Sequence, residues 1–207
     1  MAITLVHLGN RTSYYSFAAA NLTDAQSAMN RLGPRDGDGH HAASCDVQAD
    51  IMTGLQTAVV SGSAQRIAQL GSWTATARIS QGQLGYRAVY RYPRWTNIAR
   101  LPRYVRAEWQ RFMRCLRTHE RGHVSAMMPL LREYLRTYRS LRIAGSGPTA
   151  AEAEAAAQRE LRTQVQSLYD QLRFRGGQAS QTYDRRTRHG RSQGARLRTG
   201  TRRGSRH

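Results

Sequence analysis

Between residues 102 and 143 the apolar side chains fall at Val105, Trp109, Phe112, Leu116, Met127, Leu130, Tyr134, Tyr138 and Leu141. Spacings of three, four and their sums describe one face of an α-helix. So long a stripe must be covered along its run, which constrains the fold more than anything else in the chain. Pro102 suits a first turn, whereas Pro129 lies inside and predicts a kink or a split. Gly145-Ser146-Gly147-Pro148 closes this segment. Thr149, with Glu152 three residues on, then makes a capping box for a second helix. Leu161, Val165, Leu168 and Leu172 give that helix its apolar stripe, and Arg175-Gly176-Gly177 is expected to stop it.

The first hundred residues read differently. Residues 3–8 and 12–17 have strand composition, separated by the turn-like Gly9-Asn10-Arg11. Thr23 is a suitable N-cap for a short helix carrying Ala25, Met29 and Leu32, which Gly33-Pro34 ends. A polar loop follows over 35–41, then strands over 43–52, 73–80 and 85–92, with a short helix or loop at 62–71. The fold class expected is α+β, with an N-terminal, mostly antiparallel sheet packed against two long helices. Residues 1–190 make the expected domain. The segment 191–207, rich in Arg, Gly, Ser and Thr, is expected to be a disordered tail.

The chain carries a net charge of +19, and all 32 of its basic residues are Arg. Such a charge draws a protein towards nucleic acid, acidic membranes or acidic partner surfaces. No apolar run is long enough to span a bilayer. The N-terminus lacks a basic leader and an apolar run of secretory length, which predicts synthesis in the cytoplasm and any export by a route without a signal peptide. Two cysteines, Cys45 and Cys115, make no zinc-finger pattern, and their spacing leaves a disulfide open.

The apolar stripe is interrupted between Leu116 and Met127 by His119-Glu120-Arg121-Gly122-His123. Histidines four apart on a helix stack one turn apart, a spacing that lets two imidazoles reach one tetrahedral Zn²⁺. Glu120 stands roughly 100° further round the helix. It is near enough to take a proton from an activated water and to hand it on to a leaving amine. Chance would place the pattern in about one chain in a hundred of this composition. Burying two imidazoles and a carboxylate among Leu, Phe and Met is costly unless they are satisfied, and a metal satisfies them.

A third ligand is required. The extended metzincin pattern is excluded, because Ala126 and Pro129 occupy the positions of its glycine and third histidine. Glu152, Glu154 and Glu160 are nominal candidates on the second helix. Glu152 is better explained as a cap, and the other two lie in surface-like sequence. His189, which follows that helix, is the remaining candidate.

These residues together resemble a family of predicted zinc-dependent proteases, domain of unknown function 922. In that family a strand-rich half precedes a helix with His-Glu-x-x-His, and a Tyr-Asp-x-x-Thr-x-His-Gly segment closes the domain. Here the likeness runs from Ser13-Tyr14-Tyr15 through Gly33-Pro34, Tyr92-Pro93-Arg94-Trp95 and Trp109-Gln110-Arg111-Phe112 into the histidine motif. It ends at Tyr183-Asp184, Thr187 and His189-Gly190. The resemblance implies a zinc metallopeptidase acting on protein or peptide substrates. It implies His119, His123 and His189 as metal ligands, with Glu120 as general base. Asp184 is then either a carboxylate orienting an imidazole or the ligand in place of His189. Tyr183 is a candidate donor to the oxyanion, and Thr187 a brace for the loop.

Two rival readings accompany this one. Arg with interleaved aromatics at Tyr86-Arg87, Tyr90-Arg91-Tyr92 and Arg94-Trp95, together with the basic tail, suits single-stranded nucleic acid. No helix-turn-helix, RRM or zinc-knuckle pattern supports it. The other reading is an effector or cargo of a dedicated export machine, with the tail as its handling signal.

Overall fold

The computed structural model describes residues 2–36 and 39–199 and has the expected α+β class. In chain order the elements are β1 (Ala2–Phe17), α1 (Leu22–Leu32), β2 (Arg35–Asp36), β3 (Gly39–His40), β4 (Ser44–Val59), β5 (Gln65–Ile67), β6 (Ser72–Trp95), α2 (Arg103–Ser140), β7 (Arg142–Gly147) and α3 (Ala150–Thr187). Five strands form one sheet in the order β1-β6-β4, with β5 and β7 also paired to β6. The β5 and β7 pairings are antiparallel, as is the small β2-β3 hairpin, with Arg35 opposite His40.

Several elements are longer than their local signals suggest. The turn expected at 9–11 is absent: β1 continues through Gly9, which adopts a left-handed φ of 82° that glycine takes without steric cost. The two strands expected within 73–92 are one, and residues 62–71 supply β5 and a single 3₁₀ turn. Pro129 does not split α2, which is helical throughout. The segment expected to close at 145–148 is instead β7, so the sheet is not confined to the N-terminal half. Asn21, not Thr23, caps α1, its side chain accepting from the Asp24 amide at 2.9 Å. The capping box of α3 forms as expected: Glu152 accepts from the Thr149 amide at 3.1 Å, and Thr149 Oγ1 from the Glu152 amide at 3.3 Å.

The chain divides into two compact units. One takes the described residues of Met1–Gly9, Gln48–Arg87 and Met127–Gln178. Its buried residues include Ile79 and Leu84 of β6, Leu131 and Tyr138 of α2, and Ala153, Ala157, Leu161 and Leu172 of α3. Small residues set the packing of β7 on α3, since a Cβ on Gly145 would overlap the Ala157 backbone. Gly176 has the same role towards α2: a Cβ there would stand 2.7 Å from Met127 Cε. Gly176 and Gly177 do not stop α3, and at Gly176 the close approach of α2 is the reason. The contact made possible by the missing side chain outweighs a helix-propensity cost of about 1 kcal/mol.

The second unit takes the described residues of Asn10–Val47, Ala88–Ala126 and Ala179–His207. Its core joins Phe17, Met29 of α1, Tyr90, Tyr92 and Trp95 of β6, and Val105, Trp109, Phe112 and Leu116 of α2. Phe17, Trp95 and Trp109 meet edge-to-face or tilted with ring centres 5.3–6.0 Å apart, the geometry aromatic quadrupoles favour. The Trp95 indole N–H is satisfied by Asn97 Oδ1 at 2.8 Å.

Disorder does not begin at residue 191. Residues 191–193 form a 3₁₀ turn, and Leu197 joins the core, 3% exposed. Arg111 of α2 donates to the carbonyls of Gly194 at 2.7 Å and Arg196 at 2.6 Å, while Glu108 accepts from the Arg198 amide at 2.8 Å. Leu197 is the one large aliphatic residue in this stretch, too weak a periodic signal to be seen in sequence. Residues 200–207 lie outside the described part of the structure.

Candidate metal site

The second unit brings one face of α2 against the last turns of α3. From α2 come His119, Glu120 and His123, with 4%, 2% and 5% of their surfaces exposed. Because α3 continues past Gly177, Ser180 and Asp184 also lie four apart on a helix, on one face. Both imidazoles aim Nε2 at the same carboxylate oxygen: Asp184 Oδ1 is 3.1 Å from His119 and 3.4 Å from His123.

One ring nitrogen each of His119 and His123 and an Asp184 oxygen lie within 4.8 Å of one another, so they could hold a metal ion. Ligands about 2.0–2.1 Å from a tetrahedral zinc stand roughly 3.3 Å apart, which the two histidine–aspartate distances match. The far sides of the rings fit as well. His119 Nδ1 is 3.0 Å from Gln193 Oε1, and His123 Nδ1 is 2.8 Å from Ser180 Oγ. An oxygen partner that accepts from Nδ1–H keeps the ring proton on Nδ1 and lets Nε2 serve as the metal-binding nitrogen.

The electrostatics are those of a buried, closely coupled group. Burial works to raise the Asp184 carboxyl, but its hydrogen bonds with His119 and His123 outweigh this and hold it well below the usual carboxylate range. Burial lowers His119, yet Asp184, Glu120 and Gln193 together bring it above the ordinary imidazole value. Glu120 is pushed up to about 7 by burial, with the neighbouring histidines opposing the rise. Its Oε2 stands 3.9 Å from His123 Nε2. The result is a carboxylate beside the cluster that titrates near neutral pH.

His189, expected from the sequence as the third ligand, does not join the cluster. Its Nδ1 is 4.0 Å from Asp184 Oδ1, and its ring stacks on His41 at 5.0 Å between centres. The cause is the backbone: Arg188, His189 and Gly190 all have φ between 51° and 75°, a left-handed run that ends α3. His189 leaves the helix face that carries Asp184, and Asp184 takes the place beside the two imidazoles. None of Glu152, Glu154 and Glu160 belongs to the cluster.

Tyr183 is close to the site but faces away from it. Its ring stacks on His119 with centres 5.2 Å apart, and its hydroxyl donates to the His119 carbonyl at 3.2 Å and accepts from Gln193 Nε2 at 3.0 Å. A Cβ on Gly122 would overlap that hydroxyl. In this geometry the hydroxyl braces α2, its hydrogen bonds being made to the His119 carbonyl and to Gln193. Thr187 does brace the turn: it is buried, its Oγ1 donates to the Tyr183 carbonyl at 2.9 Å, and its carbonyl accepts from Ser192 Oγ at 2.9 Å.

His119 and Glu120 line a cavity of about 380 Å³, together with His41, Phe112, Leu116 and His189. Cys45 and Cys115 are free thiols; burial, reinforced by the charges of Glu120, Asp46 and Asp184, pushes the Cys45 thiol well above its ordinary range. Sequence reasoning missed Ser180, Gln193 and His41. Ser180 is four residues before Asp184, a signal readable only if the helix is not stopped at Gly177. Gln193 was hidden in the stretch taken for a tail. His41 ends a short hairpin and gives no local signal.

Fold and site define a class: an α+β protein with a His-His-Asp cluster, its histidines buried and its aspartate half-buried, that could hold a metal ion. The chain matches, over residues 12–190, the model of a family described as bacterial protein of unknown function (DUF922), and it belongs to that family. No curated protein and no solved structure matches it. Among the described residues, no helix is long and apolar enough to cross a membrane.

Proposed function

We propose that this chain is a zinc-dependent peptidase, with His119, His123 and Asp184 holding the metal and Glu120 acting as general base. The observation that carries the reading is a buried carboxylate, Glu120, set beside three convergent ligand atoms, with Glu120 and His119 both lining a cavity. Two neutral imidazoles and one carboxylate suit zinc, and three protein ligands leave room for substrate chemistry. Zinc bound there would act as a Lewis acid that lowers the pKa of a water to near 7 and polarises a carbonyl.

The remaining work belongs to the chain. Glu120, raised to about 7 by burial, accepts the proton of the water that attacks the scissile carbonyl. It then delivers that proton to the amine as the C–N bond breaks, a role suited to a group titrating near the working pH. Asp184, kept anionic by its histidine partners, offsets part of the site's positive charge. His41 and His189, stacked on each other in the cavity lining, are among the polar groups that would meet a bound peptide.

The test compares metal content and cleavage of an unstructured protein by wild type and Glu120→Gln. The expected result is full metal occupancy in both, with cleavage reduced about 10²–10⁴-fold in the variant. Cleavage by Glu120→Gln at the wild-type rate, or wild-type protein that takes up no zinc, would refute the proposal.

A further inference from the structure

The family match ends at residue 190, yet the hydrogen bonds to the first histidine do not. Gln193 Oε1 stands 3.0 Å from His119 Nδ1, while its Nε2 stands 3.0 Å from the Tyr183 hydroxyl oxygen. The Tyr183 proton is directed to the His119 carbonyl at 3.2 Å, which can only accept. The shorter of the two Gln193 contacts has the phenol oxygen accepting from Nε2, with Oε1 further off at 3.4 Å. That orients the amide with Oε1 facing His119 Nδ1, so Nδ1 keeps its proton as a donor to Gln193, and Nε2, which donates to Asp184 in the metal-free protein, is the nitrogen whose lone pair is freed when a cation binds. The opposite orientation would put the proton on Nε2 and close the site to a cation.

The backbone that delivers Gln193 is built for this approach. After the left-handed run at 188–190 the chain turns back over α2, and a Cβ on Gly190 would lie 2.9 Å from His119 Cγ. The Ala195 and Gln193 amides both bond the Gly190 carbonyl at 3.0 Å. Arg111 and buried Leu197 hold the far end of the segment. At His119 Nδ1 the partner is the Gln193 amide, 3.0 Å away, and it orients the ring.

We infer that the segment 191–199 is a component of the metal site, with Gln193 as a positioning residue that fixes the protonation and orientation of His119. The inference rests on the reading of His119, His123 and Asp184 as zinc ligands. Its counterpart on the other ring is Ser180, which reaches His123 Nδ1 from α3; Gln193 differs in coming from outside the family-defined region.

The test is zinc affinity by competition with a chromogenic chelator, on full-length wild type, Gln193→Ala, Gln193→Leu and Gln193→Glu. Thermal unfolding of each metal-free protein is measured alongside. Gln193→Ala and Gln193→Leu should bind zinc about 10–100-fold more weakly, the usual cost of losing the partner of a ligating histidine. Gln193→Glu should restore the affinity, because a carboxylate still accepts from Nδ1–H. Gln193→Leu fills the same space, so an affinity loss with unchanged metal-free unfolding separates positioning from packing. Wild-type affinity in the Ala and Leu variants, or no recovery in Gln193→Glu, would overturn the inference while leaving the metal reading intact. Wild-type protein that binds no zinc would overturn both.

Discussion

Replacing Gly122 by Ala tests the packing behind the site without invoking a metal. In an exposed helix the change stabilises by about 1 kcal/mol, because Ala is the better helix former. Here the added methyl would overlap the Tyr183 hydroxyl and ring. Tyr183 must move, which breaks its bond to the His119 carbonyl and its bond from Gln193, at about 1 kcal/mol each. Overfilling a packed site costs about 1–3 kcal/mol more. Costs of about 3–5 against a gain of about 1 leave a net loss of roughly 2–4 kcal/mol. For a chain of this size that is a fall in Tm of roughly 5–15 °C. Calorimetry in the presence of a chelator reads it directly. Adding Tyr183→Ala should recover most of the clash, so the two substitutions should couple by more than about 1 kcal/mol. A Gly122→Ala protein as stable as wild type, or additive effects in the double variant, would show that Tyr183 does not occupy the space beside Gly122.

Two further outcomes follow from burial and charge. The metal-free protein should lose stability as pH rises from the ordinary carboxyl value of 4.5 through about 7, because the folded state raises Glu120. A raised folded pKa stabilises fully below the unfolded value and is lost above the folded one. His119, also raised, acts in the same direction; Asp184, lowered, contributes stability that is lost only under acid conditions. Glu120→Gln should therefore flatten the slope between pH 5 and 7 in chelator-treated unfolding curves, and an unchanged slope would contradict the assignment. Leu197→Ala should cost about 2–5 kcal/mol, the usual range for a buried leucine. It should also expose 191–199 to limited proteolysis, whereas a protease-sensitive wild-type segment would argue against its docking.

What the sequence revealed of the fold was whatever repeats along one element. The stripe read from Val105 to Leu141 is buried at every position through Tyr138, Leu141 lying half-buried just past the end of α2, and Thr149 with Glu152 caps α3 as their spacing implies. Punctuation was less reliable. Gly9, Gly176 and Gly177 read as breaks, yet the chain passes straight through them. A glycine signals either a backbone that must bend or a neighbour that must come close, and Gly176 against Met127 is the second kind. Which of the two applies depends on a contact some fifty residues away, which no local window contains.

The same confusion governed the site. The pair His119 and His123 was legible because helix periodicity alone puts both rings on one side. The third group depends on where α3 ends. A helix stopped at Gly177 frees the chain beyond it to bring His189 back, whereas a helix that runs to Thr187 commits Asp184, one turn beyond Ser180, to the same face. The later left-handed turn then directs His189 to His41 and Gln193 to His119. Gly122 shows the dependence from the other side. It sits between the two histidines, where a helix-favouring residue would serve the helix better, and the conflict is resolved only by Tyr183 filling the missing side chain's place. A glycine that opposes its own helix thus marked the contact with α3, and with it Asp184.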